Sequence, residues 1–348
     1  MIIRAKAPLR VSFAGGGTDI PPYPQEHGGA VLCSTINKYA YANIIPGGRE
    51  IEVHSLDYDM TIKYTNSDTA LYDGKLDLVK AALRVMEVSD SYATVYLHSD
   101  APPGSGLGSS SSMVVALIGA IKHWLQRPMT SYDIAALAYR VERIELAIAG
   151  GMQDQYAAAF GGFNFIEFQG DTVVVNPLRV RSDTINELEY NLLLCYTGGI
   201  RLSAHIIDDQ VQNYRTGHVD SLEGLHQLKM IAYEMKKALL LGRLDDFGAL
   251  LHEGWQNKKR LSNRISNSHI DGIYEEALRY GALGGKLLGA GGGGYLLLYC
   301  PYNKKHRVAA AIERMGGQIT PWNFENRGLQ TWESDRGVMS GTIHSMAV

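Results

Sequence analysis

A glycine- and serine-rich segment, PPGSGLGSSSS at residues 102–112, has the residue types that suit binding of a phosphate group. Its three glycines, Gly104, Gly106 and Gly108, permit a tight turn and a close approach of the main chain to a ligand. The four serines that follow stand where the apolar run MVVALIGAI predicts a helix. The free N–H groups and the dipole of a helix N-terminus attract a phosphate. A connection capped by serine is the alternative interpretation.

This segment differs from the common phosphate loop, which ends in Gly-Lys-Ser or Gly-Lys-Thr. It contains no lysine. The positive charge that a phosphate requires must therefore come from a metal ion, from the helix dipole or from residues elsewhere in the chain. Two further glycine clusters, each next to a predicted strand or helix, support the phosphate interpretation.

The first of these clusters is PLRVSFAGGGTD at residues 8–19. It ends a predicted strand that carries Arg10, and glycines at strand ends often build binding sites because the main chain there can approach a ligand. Asp19 is suited to accept hydrogen bonds from two sugar hydroxyls. A tight turn capped by Asp19 is the alternative.

The second cluster is KLLGAGGGGY at residues 286–295. Flexibility of this kind is costly in chain entropy. It is expected where a loop fits around a ligand or against the main chain of another domain. A glycine-rich turn ahead of a strand at 295–300 is the alternative.

Two acidic residues could do chemistry near these loops. Asp154 follows Gly150-Gly151 and precedes a short apolar helix, whose dipole and N–H groups stabilise a negative charge there. It could accept a hydroxyl proton as a general base, or it could simply cap the helix. Glu142, twelve residues upstream, could ligate a metal ion or form half of an exposed helix ion pair.

The elements that must position these residues follow from the pattern of apolar residues. Strands are predicted at 2–13, 30–45, 51–54, 60–64, 93–98, 163–168, 172–176 and 191–196. Helices are predicted at 76–88, 110–125 and 131–148, and they dominate from 203 to about 280. A strand at 294–300, a helix near 305–315 and a strand at 317–322 predict a closing β–α–β unit. This order predicts a mixed α+β architecture. The polar stretch 179–189 is the candidate junction between two domains, residues 1–180 and 181–348.

The composition is that of a globular protein long enough for two domains, with 348 residues, 45% of them hydrophobic and 20% charged. The net charge of −3 gives no indication of a nucleic-acid or membrane partner. Three cysteines, Cys33, Cys195 and Cys300, lie far apart and predict buried, reduced thiols rather than a zinc site or a disulfide. A cytoplasmic protein is expected.

Taken together, PLRVSFAGGGTD, PPGSGLGSSSS and KLLGAGGGGY resemble, in order and spacing, the signature motifs of the GHMP kinases, which include galactokinase, homoserine kinase and mevalonate kinase. The likeness runs from about Pro8 to Gly294, and residues 8–42 and 197–210 resemble the sugar-1-kinase branch of that family. The resemblance implies a two-domain fold, with an ATP-binding N-terminal domain like domain 2 of ribosomal protein S5 and a ferredoxin-like C-terminal domain. The active site would lie in the cleft between them, where pockets are favoured.

The resemblance also implies roles for individual residues. Asp154 would be the catalytic aspartate and Arg10 the basic residue that faces it. Residues expected to hold the ATP phosphates are Pro103, Gly104, Ser105, Gly106, Leu107, Gly108, Ser109 and Ser110. Mg²⁺ would be bound by Glu142 with Ser109 or Ser110. Residues expected at the acceptor are Gly16, Gly17, Thr18, Asp19, Arg201, Gly291 and Gly292.

The implied reaction transfers the γ-phosphoryl group of ATP to the anomeric hydroxyl of D-glycero-D-manno-heptose 7-phosphate, giving a 1,7-bisphosphate for GDP-heptose synthesis. A kinase of a free sugar such as fucose or galactose, and a non-catalytic protein that binds sugar and nucleotide, stay open as alternatives. Whether Asp154 removes the hydroxyl proton or orients the hydroxyl is open as well. So is the oligomeric state, for which a homodimer is the candidate.

A phosphate on the acceptor requires a cationic receptor. Lys38, Arg201 and the run Lys258-Lys259-Arg260 are the candidates. Arg201 is favoured because it follows the Gly198-Gly199 turn, whereas a solvated helix face is the favoured interpretation of the run.

Overall fold

Two β-sheets carry the fold of the chain, which the computed structural model describes at residues 1–64, 72–88, 91–199 and 203–335. The strands are β1 (Ile2–Ala14), β2 (Gly29–Pro46), β3 (Ile51–Ser55), β4 (Met60–Tyr64), β5 (Ala93–Ser99), β6 (Phe163–Gln169), β7 (Thr172–Pro177), β8 (Leu192–Tyr196), β9 (Gly284–Leu287), β10 (Tyr295–Tyr299), β11 (Gln318–Ile319) and β12 (Gln330–Ser334). The helices are α1 (Tyr23–His27), α2 (Asp77–Val85), α3 (Ser109–Trp124), α4 (Ser131–Tyr139), α5 (Gln153–Phe160), α6 (Ser182–Asn191), α7 (Ser203–Arg215), α8 (Val219–Leu240), α9 (Leu244–Lys259), α10 (Ser268–Arg279) and α11 (Lys305–Arg314).

The first sheet has the strand order β12-β1-β2-β5-β3-β4, with β6 and β7 added beside β2. β2 is 18 residues long, and it pairs with β6 through its first half and with β5 through its second half. The register between β1 and β2 shifts at Pro8/Leu9 and again at Ser12/Ala14. Such irregularities re-aim side chains near functional sites, and Arg10 lies between these two.

Helix α3 packs on this sheet, against β1 and β2. Its residues are apolar on nearly all sides, and Val114 to Ile121 are buried without interruption. A helix that is apolar all round is stable only inside a core. The buried body of α3 therefore fixes the start of the helix against β1 and β2.

The second sheet has the order β11-β8-β10-β9 with antiparallel neighbours. Helices α7 to α10 connect β8 to β9, and α11 connects β10 to β11, which lie on either side of β8. This is the β–α–β–β–α–β arrangement of a ferredoxin-like domain. The α+β fold class and the closing β–α–β unit are confirmed.

One local prediction was wrong. The helix predicted over 131–148 ends as an α-helix at Tyr139 and continues as a π-helical turn, Arg140–Glu145. The polar stretch 179–189, predicted as the junction between two domains, is mostly helix α6. The division at residue 180 stays a prediction, and the strand pairing adds that β12 returns to the first sheet beside β1.

The three cysteines are buried free thiols, as predicted. Burial raises the pKa of Cys33 to about 12 and that of Cys195 to about 11. Within the part of the chain that the structure describes, no helix is both long and apolar enough to cross a membrane.

Candidate active site

A cleft of about 270 Å³ brings together the three glycine clusters and the two acidic residues predicted from the sequence. The first sheet and its helices contribute Arg10, Asp19 and Asp154 to its lining, and the second domain contributes Lys258 and Lys286. The cleft therefore lies between the first sheet and the elements that carry Lys258 and Lys286, and its role as the active site stays a prediction.

The loop before α3, residues 102–108, is named the phosphate loop after its predicted role, and it presents main chain to this cleft. Gly104, Gly106 and Gly108 have φ angles of +74°, +89° and +76°, a region that other residues avoid. These three glycines line the cleft together with Ser109 and Ser110. The loop thus ends at the helix N-terminus that suits an anion.

The other predicted loop residues point elsewhere. Ser105 and Leu107 have buried side chains, and the Ser105 carbonyl accepts a hydrogen bond from the Tyr295 N–H at 3.0 Å. Pro103 lines a second cavity of about 330 Å³, which meets the cleft at Ser109 and Ser110. Any contact of Ser105 and Leu107 with a phosphate would come from their main chain.

Arg10 and Asp154 form a bidentate ion pair. Arg10 Nε donates to Asp154 Oδ1 at 2.7 Å, and Nη2 donates to Oδ2 at 2.8 Å. Arg10 Nη1 also donates to the Gly106 carbonyl at 2.5 Å, and the Arg10 N–H donates to the Leu107 carbonyl at 3.0 Å. The arginine side chain is 4% exposed and the aspartate side chain 20% exposed. Arg10 therefore ties the carboxylate to the phosphate loop from behind, and Asp154 faces the cleft.

Glu142 is buried within the π-helical turn, a form of helix that is frequent at functional sites. Ser110 Oγ donates to its Oε1 at 3.0 Å, and Ser111 Oγ donates to its Oε2 at 2.6 Å. Gln155 Nε2 also donates to Oε2. Of the two serines predicted to bind Mg²⁺ with Glu142, Ser110 lies beside its carboxylate, whereas the Ser109 hydroxyl donates to the Pro102 carbonyl. The metal role of these residues stays a prediction.

These groups fit a magnesium ion that a nucleotide helps to hold. Mg²⁺ prefers oxygen ligands and is commonly bound by one or two carboxylates plus substrate phosphates. The Glu142 carboxylate and the Ser110 hydroxyl supply such oxygens beside the phosphate loop. Among the described residues no three His, Cys, Asp or Glu side chains cluster as a metal site. Phosphate oxygens would have to complete the coordination.

Asp19 is buried in the cleft wall and accepts four hydrogen bonds. Its Oδ1 accepts from the Gly17 N–H at 3.1 Å, and its Oδ2 accepts from the Gln153 N–H at 3.1 Å. Gln153 Nε2 donates to both oxygens at 3.2 Å. A Cβ on Gly151 would lie 1.9 Å from Oδ2, so this position requires glycine. Asp19 thus joins the first glycine cluster to the segment that carries Asp154.

Three of the residues predicted at the acceptor lie outside the cleft lining. Thr18 is buried, and its hydroxyl donates to the Gly15 carbonyl at 2.8 Å and accepts from the Ala30 N–H at 3.0 Å. Gly291 packs on Ile265, and Gly292 lines a different cavity. Gly16 and Gly17 do line the cleft. Arg201 lies outside the described residues.

The third glycine cluster packs directly on the phosphate loop. A Cβ on Gly106 would lie 2.5 Å from the Leu288 carbonyl oxygen, and a Cβ on Gly294 would lie 2.2 Å from the Ser105 oxygen. Main chain from the two domains is therefore in contact, and these positions have no room for a side chain. This is the contact with the main chain of another domain that the sequence predicted.

Two cleft lysines were not predicted correctly from the sequence: the environment of Lys258 was misjudged, and Lys286 was missed. Lys258 was expected on a solvated face, and that interpretation is wrong, because it is buried in the cleft wall at 6% exposure. Lys259 and Arg260 do face outward, in ion pairs with Asp271 and Asp220. Lys286 opens the third glycine cluster and is also buried. Its position as the first residue of that cluster is the feature of the sequence that could have identified it as a residue of the site.

Burial lowers the pKa of both cleft lysines. The pKa of Lys258 falls to about 8 because burial penalises the ammonium form. That of Lys286 falls to about 7, through burial and then through repulsion from Lys258 and Arg10. The negative charge of Asp19 opposes both shifts.

Phosphoryl transfer depends on positioning and charge neutralisation rather than on covalent help from the protein, and the fold places groups for both in this one cleft. The molecule is a small-molecule kinase. A family model described as the GHMP kinases N-terminal domain matches residues 77–162, and one described as GHMP kinases C-terminal matches residues 235–318. The chain belongs to the GHMP kinase family.

The proteins to which the chain is similar in sequence and in structure include sugar kinases. The chain is 38% identical to a D-glycero-alpha-D-manno-heptose 7-phosphate kinase of Campylobacter jejuni, over 95% of this chain and 98% of that one. A crystal structure of a D-glycero-D-manno-heptose 1-phosphate kinase from Bacteroides thetaiotaomicron superposes with a TM-score of 0.81 at 34% identity, covering 96% of this chain and 99% of that one. A bifunctional fucokinase/GDP-fucose pyrophosphorylase of Arabidopsis thaliana is 27% identical over 85% of this chain and 29% of its own length. Sugar-phosphate and free-sugar kinases are thus both among the relatives.

Proposed function

We propose that the chain transfers the γ-phosphoryl group of ATP to the C1 hydroxyl of D-glycero-D-manno-heptose 7-phosphate, giving the 1,7-bisphosphate. The observation that carries the proposal is the position of Asp154, which faces the cleft while Arg10 ties it to the phosphate loop. The named heptose kinases that resemble the chain over nearly all of its length support the choice of acceptor. An anomeric phosphate is a substrate for nucleotidyl transfer, and we place the product in GDP-heptose synthesis for surface glycans.

In the proposed reaction the acceptor oxygen forms a bond to the γ-phosphorus, and the bond between that phosphorus and the β,γ-bridging oxygen breaks to release ADP. The hydroxyl proton passes to Asp154, the carboxylate that faces the cleft. An anomeric hydroxyl is more acidic than an ordinary alcohol, which lowers the demand on this base. Arg10 keeps the carboxylate in place through its fixed guanidinium fork.

Residues of the phosphate loop and the start of α3 bind the ATP phosphates in this proposal. The second cavity, which meets the cleft at Ser109 and Ser110, accepts the nucleoside between apolar side chains that include Leu78, Leu97 and Met113. Glu142 and Ser110 hold Mg²⁺, which when bound neutralises charge on the phosphates. This supplies the positive charge that the lysine-free loop lacks.

The proposal also covers the cellular location and the oligomeric state of the enzyme. We place the enzyme in the cytoplasm, where the three buried thiols stay reduced. The homodimer stays a prediction, which light scattering coupled to size-exclusion chromatography would decide.

The proposal is tested by ADP release with Mg·ATP over a panel of acceptors. The panel contains D-glycero-D-manno-heptose 7-phosphate, the free heptose, mannose 6-phosphate, fucose and galactose, each also tested with Asp154→Asn. The expected result is turnover of the heptose 7-phosphate that the substitution lowers by about 100-fold or more. ³¹P NMR of the product shows whether C1 carries the new phosphate.

Best turnover on a free sugar would retain the kinase and contradict the proposed acceptor. The fucokinase relative is the observation that favours this second candidate. Absence of turnover on every acceptor, with ATP still bound, would favour a non-catalytic protein that binds sugar and nucleotide.

A further inference from the structure

Two buried lysines from different elements of the second domain meet at the first glycine cluster. Lys258 lies in the last turn of α9, and its Nζ donates to the Gly16 carbonyl at 3.2 Å and to Gln210 Oε1 at 3.1 Å. Lys286 lies on β9, and its Nζ is 4.0 Å from the position that a Cβ on Gly16 would take. The lysines are 6% and 8% exposed, and both line the cleft.

The charges of the cleft leave these two cations uncompensated. Arg10 is paired with Asp154, and Arg143 lies 3.8 Å from Glu142. Within the described ranges neither Lys258 nor Lys286 has a carboxylate within ion-pair distance. Asp19 is the acidic residue whose negative charge raises the pKa of both lysines. Its single carboxylate cannot balance two ammonium groups. Burying unpaired charge is costly, so this arrangement indicates an anionic ligand.

A second observation points to the same place. Ser12 is 3% exposed and lines the cleft, and its hydroxyl has no hydrogen-bond partner among the described residues. The space above Gly16 is bordered by this Oγ at 3.5 Å, Gln153 Nε2 at 3.6 Å and Lys286 Nζ at 4.0 Å from the position of a Cβ. An unused buried hydroxyl beside two lysines is what a phosphate oxygen would satisfy.

We propose that Lys258 and Lys286, with the Ser12 hydroxyl, form a subsite for a phosphate monoester dianion. This inference rests on the proposed kinase function and adds the group that selects a phosphorylated acceptor. The phosphate could belong to the acceptor or be the γ-phosphate of the nucleotide. The acceptor is the assignment here, because Lys258 donates to Gly16 and Gln210, the space above Gly16 is bordered by Ser12, Gln153 and Lys286, and none of these groups belongs to residues 104–110.

The test compares one acceptor with and without its phosphate. Lys258→Met and Lys286→Met keep the length of the side chain and remove the charge, and Ser12→Ala removes only the hydroxyl. Lys259→Met is the matched control, because that lysine is the neighbour of Lys258 in the chain and pairs with Asp271 outside the cleft lining. For each variant kcat/KM is measured with D-glycero-D-manno-heptose 7-phosphate and with the free heptose, and KM is measured for ATP.

The expected result is a roughly 10- to 100-fold loss of kcat/KM for the phosphorylated acceptor in either methionine variant, the size that a charged hydrogen bond produces. The value for the free heptose should change much less, the KM for ATP should stay unchanged, and Lys259→Met should match the wild type. An equal loss with both acceptors, together with a raised KM for ATP, would assign the lysines to the nucleotide and overturn the proposal. Unchanged discrimination between the two acceptors would also overturn it.

A binding measurement separates failure of the subsite from failure of the proposed function. Inorganic phosphate is titrated calorimetrically into protein that holds Mg·AMP-PNP, so that the loop at 104–110 is filled. Wild type and Lys259→Met should bind phosphate, and both methionine variants should not, even if no heptose is ever turned over. Ser12→Ala should weaken the binding of inorganic phosphate, and it replaces a methionine variant in the test if that variant does not fold. Equal phosphate binding by all variants would contradict the subsite whatever the enzyme phosphorylates.

Discussion

Arg10 donates two hydrogen bonds to the Asp154 carboxylate, from Nε at 2.7 Å and from Nη2 at 2.8 Å, although 144 positions separate the two residues in the sequence. The third nitrogen of the same guanidinium reaches the Gly106 carbonyl in the phosphate loop. One buried side chain therefore sets the distance between the carboxylate and the loop. Catalysis by positioning depends on distances of this kind.

Asp154→Asn should lower kcat by about 10²- to 10⁴-fold, the range expected for loss of a general base. The affinity for Mg·ATP should change little, because the phosphate loop and Glu142 are untouched. ADP release gives kcat, and calorimetric titration of Mg·AMP-PNP gives the affinity. A variant that kept near-normal kcat would show that Asp154 only orients the hydroxyl.

Arg10→Lys should lower both kcat and stability, because lysine cannot reproduce the fork that holds two carboxylate oxygens and a carbonyl. We expect a loss of about 1–3 kcal/mol in the free energy of unfolding, measured by urea titration. Arg181→Lys is the control, since Arg181 makes the same kind of pair with Asp183 at an exposed site. Its free energy should stay within about 0.5 kcal/mol of the wild type. Equal losses in the two variants would contradict a special role for the buried pair.

Glu142→Gln should raise the Mg²⁺ concentration that gives half-maximal activity by roughly 10-fold or more. The neutral amide keeps the shape of the side chain but is a poor ligand for a hard cation. Glu145→Gln, in the same π-helical turn, is the matched control, because that side chain pairs with the exposed Arg140. A Mg²⁺ titration of initial rates at saturating ATP measures the effect. If both variants respond to Mg²⁺ as the wild type does, Glu142 is not a metal ligand.

Gly106→Ala should reduce kcat/KM for ATP and lower the melting temperature. The residue has φ of +89°, and an added Cβ would meet the Leu288 oxygen at 2.5 Å, so the third glycine cluster could no longer dock on the loop. Gly316→Ala shares the φ of +89° but meets nothing within 4 Å. It should lose stability through strain alone, about 1–2 kcal/mol, with activity retained. An active Gly106→Ala enzyme would argue against the docking contact.

The two cleft lysines predict how acceptor selection depends on pH. Without ligand the pKa of Lys286 is about 7 and that of Lys258 about 8, so both ammonium groups are present below pH 7 and are lost above pH 8. Burial is the main cause of both low pKa values. The positive charges of Lys258 and Arg10 lower the pKa of Lys286 further, and the negative charge of Asp19 favours the charged form of both lysines. A sugar phosphate becomes a dianion above about pH 6. The preference for the phosphorylated over the free acceptor should therefore be greatest near pH 7 and decline above pH 8.

The measurement is the ratio of the two kcat/KM values between pH 6 and 9. The free energy of unfolding should instead rise with pH. The reason is that the unfolded chain holds the Lys286 proton up to about pH 10.5, whereas the folded chain releases it near pH 7. The unliganded protein should therefore gain stability across that window relative to Lys286→Met. A ratio that does not change with pH would contradict the assignment of the lysines to the acceptor phosphate.

Local features of the fold were predictable from the sequence. Strands such as β1 and β2 followed from their runs of β-branched and aromatic residues, and the start of α3 followed from the serines before an apolar run. The strands predicted at 51–54 and 60–64 were found in the same way, and they pair as β3 and β4. These elements depend on short-range preferences that a pattern of neighbours records.

Features that depend on distant contacts were not predictable. The π-helical turn at Glu142 has no signal in a helical pattern, because its geometry depends on the groups that pack around it. Lys258 stands in a basic run that is typical of a solvated face, yet only this member of the run turns inward. Its burial depends on the first glycine cluster, more than 200 residues away. The family resemblance located Arg10 and Asp154, but their distances required the fold.

The pairing of β12 with β1 has a consequence for biosynthesis. β1 leaves the ribosome long before residues 330–334, so during translation the 13-residue strand lacks the neighbour that covers one of its sides. An uncovered strand edge is a template for pairing with other chains. Nascent molecules that stall before Gln330 should be prone to aggregate and should need a chaperone, and sealing of the first sheet should be a late event in translation.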